Sequence, residues 1–259
     1  MQTSVSPTSQ ILVIDDDEVM REVLSLLLEA EGRRVLTADS GTAALALLAT
    51  LAPEQCPDVI LTDMKMPGLS KDALALQLRL ACPPPTLLVA MSGSEPAGGE
   101  AVGFDAFLLK PFMVADLDAA VKRAGHSAAE AQSAPPADVR KGKKAPTRVL
   151  DDVLNDTVYT KLSAMMGASL SQFYSMLLED VLVRVERMRS ATATHDEATL
   201  VREAHAIKGS CGMLGATELQ ALAGRVEAGG LSGSSLINNF GPAVERLRRM
   251  LDKQAGQTG

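Results

Sequence analysis

Residues 58–68 read DVILTDMKMPG, and this stretch decides how the rest of the chain is interpreted. Four apolar or β-branched residues run straight into Asp63, and a loop with proline and glycine follows. The pattern predicts a buried strand with Asp63 at its carboxyl end. Ligands of open parallel sheets collect beyond the carboxyl ends of the strands, so an acid there indicates a site. An aspartate that caps the next turn gives the same local pattern, and this stretch alone does not separate the two.

Short apolar runs and amphipathic segments alternate on both sides of this stretch, as far as about residue 124. The predicted strands are ILVI (11–14), RVLTA (34–38), DVILT (58–62), TLLVAM (86–91) and AFLL (106–109). Uniformly apolar strands that alternate with helices are typical of a parallel sheet covered on both faces. We therefore predict an α/β domain with a doubly wound, five-stranded parallel sheet.

The carboxyl ends of the predicted strands carry polar side chains that should share one edge of the sheet. They are Asp15, Asp16, Asp63, Ser92 and Lys110. Clustered carboxylates repel one another unless a cation lies between them, and an all-oxygen set with few protein ligands suits Mg²⁺. Asp63 is then a candidate nucleophile for a phosphoryl group. Mg²⁺ and Lys110 would neutralise the phosphoryl oxygens, and the Ser92 hydroxyl would donate a hydrogen bond.

The composition restricts the class of protein. The formal charge of −7 argues against nucleic acid as a partner, and 3% aromatic residues leave little for base stacking. Three cysteines without a CxxC pair support neither a zinc site nor a disulfide framework, which favours a reducing compartment. No apolar run is long enough for a membrane span, and the polar start lacks the features of a signal peptide. We therefore expect a cytoplasmic protein.

Residues 10–124 resemble a response-regulator receiver domain of two-component signalling, which has a flavodoxin-like fold. The resemblance lies in VIDDDEVMR, in DMKMPG, in the small hydroxyl residue after the fourth strand, and in LLKPF. It implies that Asp63 is the phosphoacceptor and forms an aspartyl phosphate. It also implies that Asp16 and Asp63 bind Mg²⁺ directly, that Asp15 holds it through water, and that the Lys65 backbone carbonyl is a further ligand.

The same resemblance assigns Ser92 and Phe107 to the family's hydroxyl and aromatic switch positions. Two features depart from the family: Lys71 stands where glycine is usual, and the segment between Ser92 and Lys110 is shorter. Four glycines and a proline before Phe107 predict only a short, weak fourth helix. The family uses this region for dimerisation and output, so we expect this chain to be a monomer.

Residues 125–150 are predicted to be a flexible linker, because they are rich in Ala, Pro, Ser and Lys and lack apolar periodicity. The basic cluster within RKGKK (140–144) is more typical of a solvated spacer than of a contact with an acidic partner. Residues 1–9 and 255–259 are predicted to be a disordered leader and a tail. A flexible linker of about 25 residues spans roughly 28 Å, and its prolines should extend it.

From residue 151 onward the sequence has helical periodicity and no strand-like run, which predicts an antiparallel four-helix bundle. The informative helix runs from about residue 195 to 214. Its apolar stripe consists of Leu200, Ala204, Ile207, Cys211 and Leu214. His205 lies well away from this stripe beside Lys208, Gly209 and Gly212, so we expect it to face solvent. An exposed histidine beside a lysine and two glycines fits a phosphoryl acceptor that another protein can reach.

The string EAHAIKGSCGMLGATEL resembles the histidine-phosphotransfer motif, and the resemblance covers about residues 151–254. It implies that His205 becomes a phosphohistidine, with Lys208, Gly209, Ser210 and Gly215 at supporting positions. A receiver and a phosphotransfer domain in one chain predict a phosphorelay protein without a kinase domain. The receiver would catalyse only its own phosphorylation and dephosphorylation. The expected partners are a sensor histidine kinase, another receiver domain, or both, and we predict transfer between Asp63 and His205 within one molecule.

Two alternatives remain open from the sequence. A haloacid-dehalogenase-like phosphatase also pairs a nucleophilic Asp with Mg²⁺, and its DxDx[TV] pattern fits Asp15, Asp17 and Val19 with Asp15 as the nucleophile. That interpretation leaves Asp63 and HAIKGS unexplained. The other alternative is a binding module whose phosphorylation switches an interaction, with no onward transfer from Asp63.

Overall fold

The structure, a computed structural model, describes residues 9–93, 103–130 and 153–255. Its described residues form an α/β domain up to residue 130 and a helical domain from residue 153 onward. Within these ranges no helix is long and apolar enough to cross a membrane.

The α/β domain has five parallel strands, as predicted, and their order in the sheet is β2-β1-β3-β4-β5. The strands are β1 (Gln10–Ile14), β2 (Arg34–Ala38), β3 (Val59–Asp63), β4 (Leu87–Ser92) and β5 (Ala106–Leu109). The helices of this domain are α1 (Glu18–Ala30), α2 (Gly41–Leu48), α3 (Lys71–Ala81) and α4 (Val114–Glu130). Each observed strand lies within one residue of its predicted bounds.

Alternate residues of the strands fill two separate cores, because successive side chains of a strand point to opposite faces of the sheet. On β1, Leu12 and Ile14 pack against α2 and α3, whereas Ile11 and Val13 pack against α1 and α4. The apolar cluster on the α1 face continues into the helical domain. This continuity joins the two domains along α1.

The register of the sheet brings the strand ends together. The paired positions that matter are Ile14 with Thr62, Asp63 with Met91, and Ser92 with Leu109. Asp15 and Asp63 each lie one residue beyond the first of these pairs, so they are neighbours at the sheet edge. Lys110 follows Leu109 and reaches the same edge from β5.

The helical domain contains α5 (Asp156–Met166), α6 (Leu170–Ala193), α7 (Glu197–Met213), α8 (Thr217–Gly229) and α9 (Phe240–Ala255). Helices α6 to α9 pack as a four-helix bundle, and α5 lies between α6 and α1. All five residues of the predicted apolar stripe on α7 are fully buried in the bundle. The hydroxyl of Tyr174 donates a hydrogen bond to the carbonyl of Leu214 at the end of that helix, 2.7 Å away.

The connecting segments can be compared with the structure only in part. The linker was expected from residue 125, but α4 continues to Glu130. The sequence HSAAE at that point favours a helix, because alanine has the highest helix propensity and glutamate ranks among the better formers. The rest of the predicted linker, residues 131–150, lies outside the described residues. The same is true of residues 94–102, which hold most of the predicted weak helix.

Candidate functional site

Three carboxylates meet at the carboxyl edge of the sheet. One oxygen each from Asp15, Asp16 and Asp63 lies within 4.8 Å of the others. The ammonium of Lys110 lies 2.8 Å from Asp15 Oδ2 and 3.4 Å from Asp63 Oδ1. Asp63 is 6% exposed and Asp15 is 1% exposed, whereas Asp16 is open to solvent. The predicted acids and the lysine are therefore together in one small site.

The electrostatics of this cluster favour an added cation. Burial raises the pKa of Asp15 against the pull of Lys110, and the charge of Asp63 adds to the rise. Burial and then the charges of Asp15 and Asp63 raise the pKa of Asp16. Burial alone would lower the pKa of Lys110, but Asp15 and Asp63 raise it, so this lysine stays charged. One ammonium among three carboxylates leaves net negative charge.

The donor set fits a hard divalent cation. Oδ1 of Asp63 is buried and accepts no hydrogen bond from the described residues. Carboxylate oxygens are the ligands that Mg²⁺ prefers, and a site with one or two protein carboxylates leaves room for waters and a phosphoryl oxygen. The residues present therefore fit Mg²⁺.

His205 on α7 belongs to a second group of polar side chains in the helical domain. Its Nδ1 lies 2.6 Å from Oε1 of Glu227 on α8. The other carboxylate oxygen of Glu227 accepts a hydrogen bond from Lys208, 3.0 Å away. Burial opposes ionisation of Glu227, but the hydrogen bonds from His205 and Lys208 lower its pKa to about 2. Since an ionised carboxylate only accepts, we assign the proton of the neutral imidazole to Nδ1, and in that tautomer Nε2 has the free lone pair.

The helical domain holds this histidine against the sheet edge. A Cβ atom on Gly93, the residue after β4, would lie 2.7 Å from Cε1 of His205 and 3.4 Å from Nε2. Lys208 donates a hydrogen bond to the Gly93 carbonyl at 3.0 Å, and Lys65 lies 3.2 Å from Glu227. His205 and Asp63 line one cavity of about 250 Å³. A single water needs only about 10–15 Å³, so the cavity has room for a phosphoryl group.

The expectation that His205 faces solvent was wrong, because only 12% of its side chain is exposed. It does lie off the apolar stripe of its own bundle. The α/β domain covers that face, and a helical projection of one domain contains no information about what packs on its outer side.

The glycines beside His205 lie where the domains approach each other. A Cβ on Gly209 would meet Met20 of α1 at 3.3 Å, whereas a Cβ on Gly212 would first meet Gln220 of α8 at 2.7 Å and then Pro111 at 3.4 Å. The sequence predicted that these glycines clear space for another protein. In the structure Gly209 clears space for the α/β domain of the same chain, whereas Gly212 clears space mainly for Gln220 of its own bundle.

A buried ion pair links the domains beside the acidic cluster. Arg184 of α6 lies 3.3 Å from Asp17, which caps α1, and it also pairs with Asp180 and Glu203 of its own domain. Burial raises the pKa of Asp17 to about 6 in spite of the charge of Arg184. Burial would lower the pKa of Arg184, but Asp17 and the other acids raise it, so the guanidinium stays charged.

The remaining predicted residues occupy less central positions. Ser92 is 5% exposed at the end of β4, and Phe107 is half-buried on β5. Phe107 lines a separate cavity with Arg123, and the lining of that cavity does not include Asp15, Asp16 or Asp63. The side chain of Lys65 is 40% exposed and points to the helical domain. Sequence analysis missed Gly93, Arg184 and Glu227, because no spacing motif joins them to Asp63 or His205.

Two family models match the chain. Residues 11–122 match the response regulator receiver domain, and residues 172–256 match the Hpt domain. The chain joins a receiver domain to an Hpt domain. Asp63 lies in the matched part of the receiver domain, and His205 lies in that of the Hpt domain.

The chain is similar to a transcriptional regulator and to a sensor protein. The alkaline phosphatase synthesis transcriptional regulatory protein SphR of Synechococcus elongatus is 31% identical over 49% of this chain and 54% of its own length. The virulence sensor protein BvgS of Bordetella pertussis is 31% identical over 70% of this chain and 14% of its own length. The chain thus spans about half the length of the regulator and a small part of the sensor.

Solved structures match the receiver domain as well. A CheY-like receiver domain from Methylobacillus flagellatus is 32% identical, with coverage of 45% of this chain and 98% of that chain and a TM-score of 0.40. The receiver domain of the hybrid histidine kinase CckA is 30% identical, with coverage of 44% and 97% and a TM-score of 0.37.

The geometry does not favour the phosphatase alternative. The Asp15 carboxylate accepts hydrogen bonds from Lys110 and from the backbone N–H of Asp17, 2.8 and 2.9 Å away. Asp17, the second acid of the DxD pattern, caps α1 and pairs with Arg184. Asp15 and Asp17 therefore already serve as the partner of Lys110 and as a helix cap, which does not favour their use as the nucleophile and acid pair of this chemistry.

Proposed function

We propose that this protein is a phosphorelay component that moves a phosphoryl group between Asp63 and His205 of the same molecule. The observation that carries this proposal is the position of His205 against Gly93, in one cavity with Asp63 and Lys110. A sensor histidine kinase, another receiver domain or a small phosphodonor supplies the phosphoryl group, in a cytoplasmic setting. The receiver domain acts only on its own phosphoryl group.

On the receiver side, the Asp63 carboxylate is the nucleophile and becomes an aspartyl phosphate. Asp15, Asp16, Asp63 and the Lys65 carbonyl are the proposed holders of Mg²⁺, which neutralises phosphoryl oxygens when bound. Lys110 stays charged and pairs with the oxygens opposite. In this proposal Ser92, at the end of the adjacent strand, donates its hydroxyl, and together with Phe107 it is the proposed switch.

On the Hpt side, Nε2 of His205 attacks phosphorus. The N–P bond forms while the P–O bond to Asp63 breaks, and the electron pair returns to the carboxylate, which Lys110 stabilises. The proton on Nδ1 stays in the hydrogen bond to Glu227, so the charge that develops on the imidazole is neutralised where it forms. Lys208 orients Glu227 and adds positive charge near the transferred group. The reverse reaction uses the same contacts.

The docked domains also control access to external partners. Asp63 is 6% exposed and the His205 side chain 12% exposed, so neither reaches a second protein while the domains are docked. Exchange with a kinase or another receiver therefore requires the domains to separate. Tethering keeps the two sites at an effective concentration on the order of millimolar, so they meet again before a free partner at lower concentration arrives.

A rate measurement tests the proposal. Asp63 is labelled from radioactive acetyl phosphate with Mg²⁺, the donor is removed, and label on His205 is followed by its acid lability and base stability. We expect first-order transfer with a rate constant unchanged by dilution. The control mixes His205→Asn protein, labelled on Asp63, with Asp63→Asn protein, which forces transfer between molecules and should be slower at micromolar concentration.

Two outcomes would overturn the proposal. A rate proportional to protein concentration would mean that each domain serves a separate partner. Label that stays on Asp63 at every concentration would support the binding-module alternative instead.

A further inference from the structure

Two of the three cysteines form a close pair in the receiver domain. Sγ of Cys82 lies 2.7 Å from Sγ of Cys56. Cys56 lies in the loop before β3, and Cys82 caps the carboxyl end of α3. The two residues are 26 positions apart, so their sequence spacing gave no sign of this contact. Both are free thiols in the structure.

The two thiols differ in accessibility. Cys56 is partly exposed and lines a cavity of about 330 Å³ with Arg34 and Glu54, whereas Cys82 is fully buried. Burial and, to a smaller extent, the contact with Cys56 together raise the pKa of Cys82 to about 12. A reagent in solvent therefore reaches the Cys56 thiol first, and Cys82 lies behind it as the second thiol.

We propose that Cys56 and Cys82 form a reversible disulfide within the receiver domain when the protein meets a small-molecule disulfide. In the first step the Cys56 thiolate attacks one sulfur of the reagent, its S–S bond breaks, and one reagent thiolate leaves. In the second step the Cys82 sulfur, on loss of its proton, attacks Sγ of Cys56 and displaces the second reagent thiolate. Two protein thiols are oxidised by two electrons, and one small disulfide is reduced to two thiols.

The surroundings favour a redox pair over a metal site. Among the described residues, three or more potential metal ligands come together in the cluster of Asp15, Asp16 and Asp63. This cluster contains no cysteine. The pair lies near the amino end of β3, whereas Asp63 lies at its carboxyl end. The inference is thus independent of the proposed phosphoryl transfer.

Peptide mapping of the full-length chain tests the proposal. The protein is incubated with oxidised glutathione, free thiols are blocked with iodoacetamide, and tryptic peptides are identified without reduction. Lys65 and Arg79 lie between the two cysteines, so trypsin separates them and a disulfide appears as a linked pair of peptides. We expect that linked pair as the main product, reversal by dithiothreitol, and a thermal midpoint at least about 5 °C higher in the oxidised protein.

Two variants and one internal control complete the design. Cys82→Ala should leave Cys56 as a stable mixed disulfide with glutathione, and Cys56→Ser should leave Cys82 unmodified. Cys211, which is fully buried in the other domain, should react only after unfolding. A stable glutathione adduct on Cys56 of the unaltered chain, a disulfide between two molecules, or no oxidation at Cys56 would each overturn the proposal. Peptide mapping of the unaltered chain tests the proposal even if a variant folds poorly.

Discussion

Arg184 of the Hpt domain lies 3.3 Å from Asp17 of the receiver domain, two residues beyond Asp15 of the acidic cluster. Its side chain is 13% exposed and also pairs with Asp180 and Glu203. One guanidinium therefore ties the bundle to the receiver domain directly beside the phosphoacceptor edge. Removal of one partner of a buried pair leaves an unpaired charge, which costs about 3–5 kcal/mol in other proteins.

The first prediction is that Arg184→Gln weakens the docking of the two domains. We expect transfer from Asp63 to His205 to slow by at least about tenfold, a change of about 1.4 kcal/mol, because the histidine no longer stays at the sheet edge. Labelling of Asp63 by acetyl phosphate should persist. Arg189→Gln is the matched control, because Arg189 is 47% exposed and its ion pair is with Glu186, three residues earlier on the same helix. Equal rates in the two variants would show that the Arg184–Asp17 pair is not needed for docking.

The second prediction concerns the contact between Gly93 and His205. Any side chain at position 93 brings a Cβ to 2.7 Å from Cε1 of the imidazole, and Glu227 limits how far the ring can retreat. Gly93→Ala should slow transfer to His205 by at least about tenfold while the thermal midpoint changes little, since the clash is relieved when the domains separate. Gly241→Ala is the control, because a Cβ there meets nothing within 4 Å. Unchanged transfer in Gly93→Ala would contradict the docked geometry.

The third prediction is that Glu227 positions His205 for attack. Glu227→Gln keeps the shape but removes the negative charge that fixes the Nδ1 proton. We expect slower transfer, by about tenfold, and a shift in the Nδ1–H to Nε2–H tautomer ratio of His205 measured by ¹⁵N NMR. Glu218→Gln is the matched control, because Glu218 lies on the same helix as Glu227 and its ion pair is with Arg246 of α9. A tautomer ratio identical to that of the unaltered protein would mean that Glu227 has only a structural role.

The low pKa of Glu227 gives a fourth prediction, for stability. A group whose pKa is lower in the folded state stabilises the fold above its unfolded value, here 4.5, and loses that contribution as the pH falls towards about 2. The thermal midpoint of the unaltered protein should therefore fall more steeply between pH 5 and pH 2.5 than that of Glu227→Gln. Parallel curves for the two proteins would argue that the hydrogen bonds from His205 and Lys208 are absent in solution.

The fifth prediction concerns Mg²⁺. Because cation binding relieves the repulsion among three carboxylates, MgCl₂ should raise the thermal midpoint in a concentration-dependent way. Asp16→Asn should reduce this rise, and chelation with EDTA should abolish labelling of Asp63 by acetyl phosphate. Glu29→Gln, a charge change at an exposed position of α1, should leave the Mg²⁺ response intact. A response lost equally in both variants would point to a general charge effect and not to a bound ion.

The amino-acid sequence by itself determined the fold and the positions of the reacting groups. The ends of the strands can be predicted because buried apolar runs stop at polar residues. Parallel strands then bring their carboxyl ends to one edge of the sheet. Asp15, Asp63 and Lys110 therefore followed from pattern alone. The apolar stripe on α7 could be predicted as well, because helical periodicity shows which face of a helix is buried in a bundle. His205 was correctly predicted to lie off that face.

Only the tertiary structure decided what lies against that outer face. Periodicity describes each element relative to its own core, so it does not show that the receiver domain covers His205, that Gly93 receives the imidazole, or that Arg184 meets Asp17. The pairing of His205 with Glu227 depends on the packing of α7 against α8, and the contact of Cys56 with Cys82 depends on how α3 returns to the sheet. These contacts join residues distant in sequence, and their geometry is set by the packing of whole elements, which a local pattern does not contain.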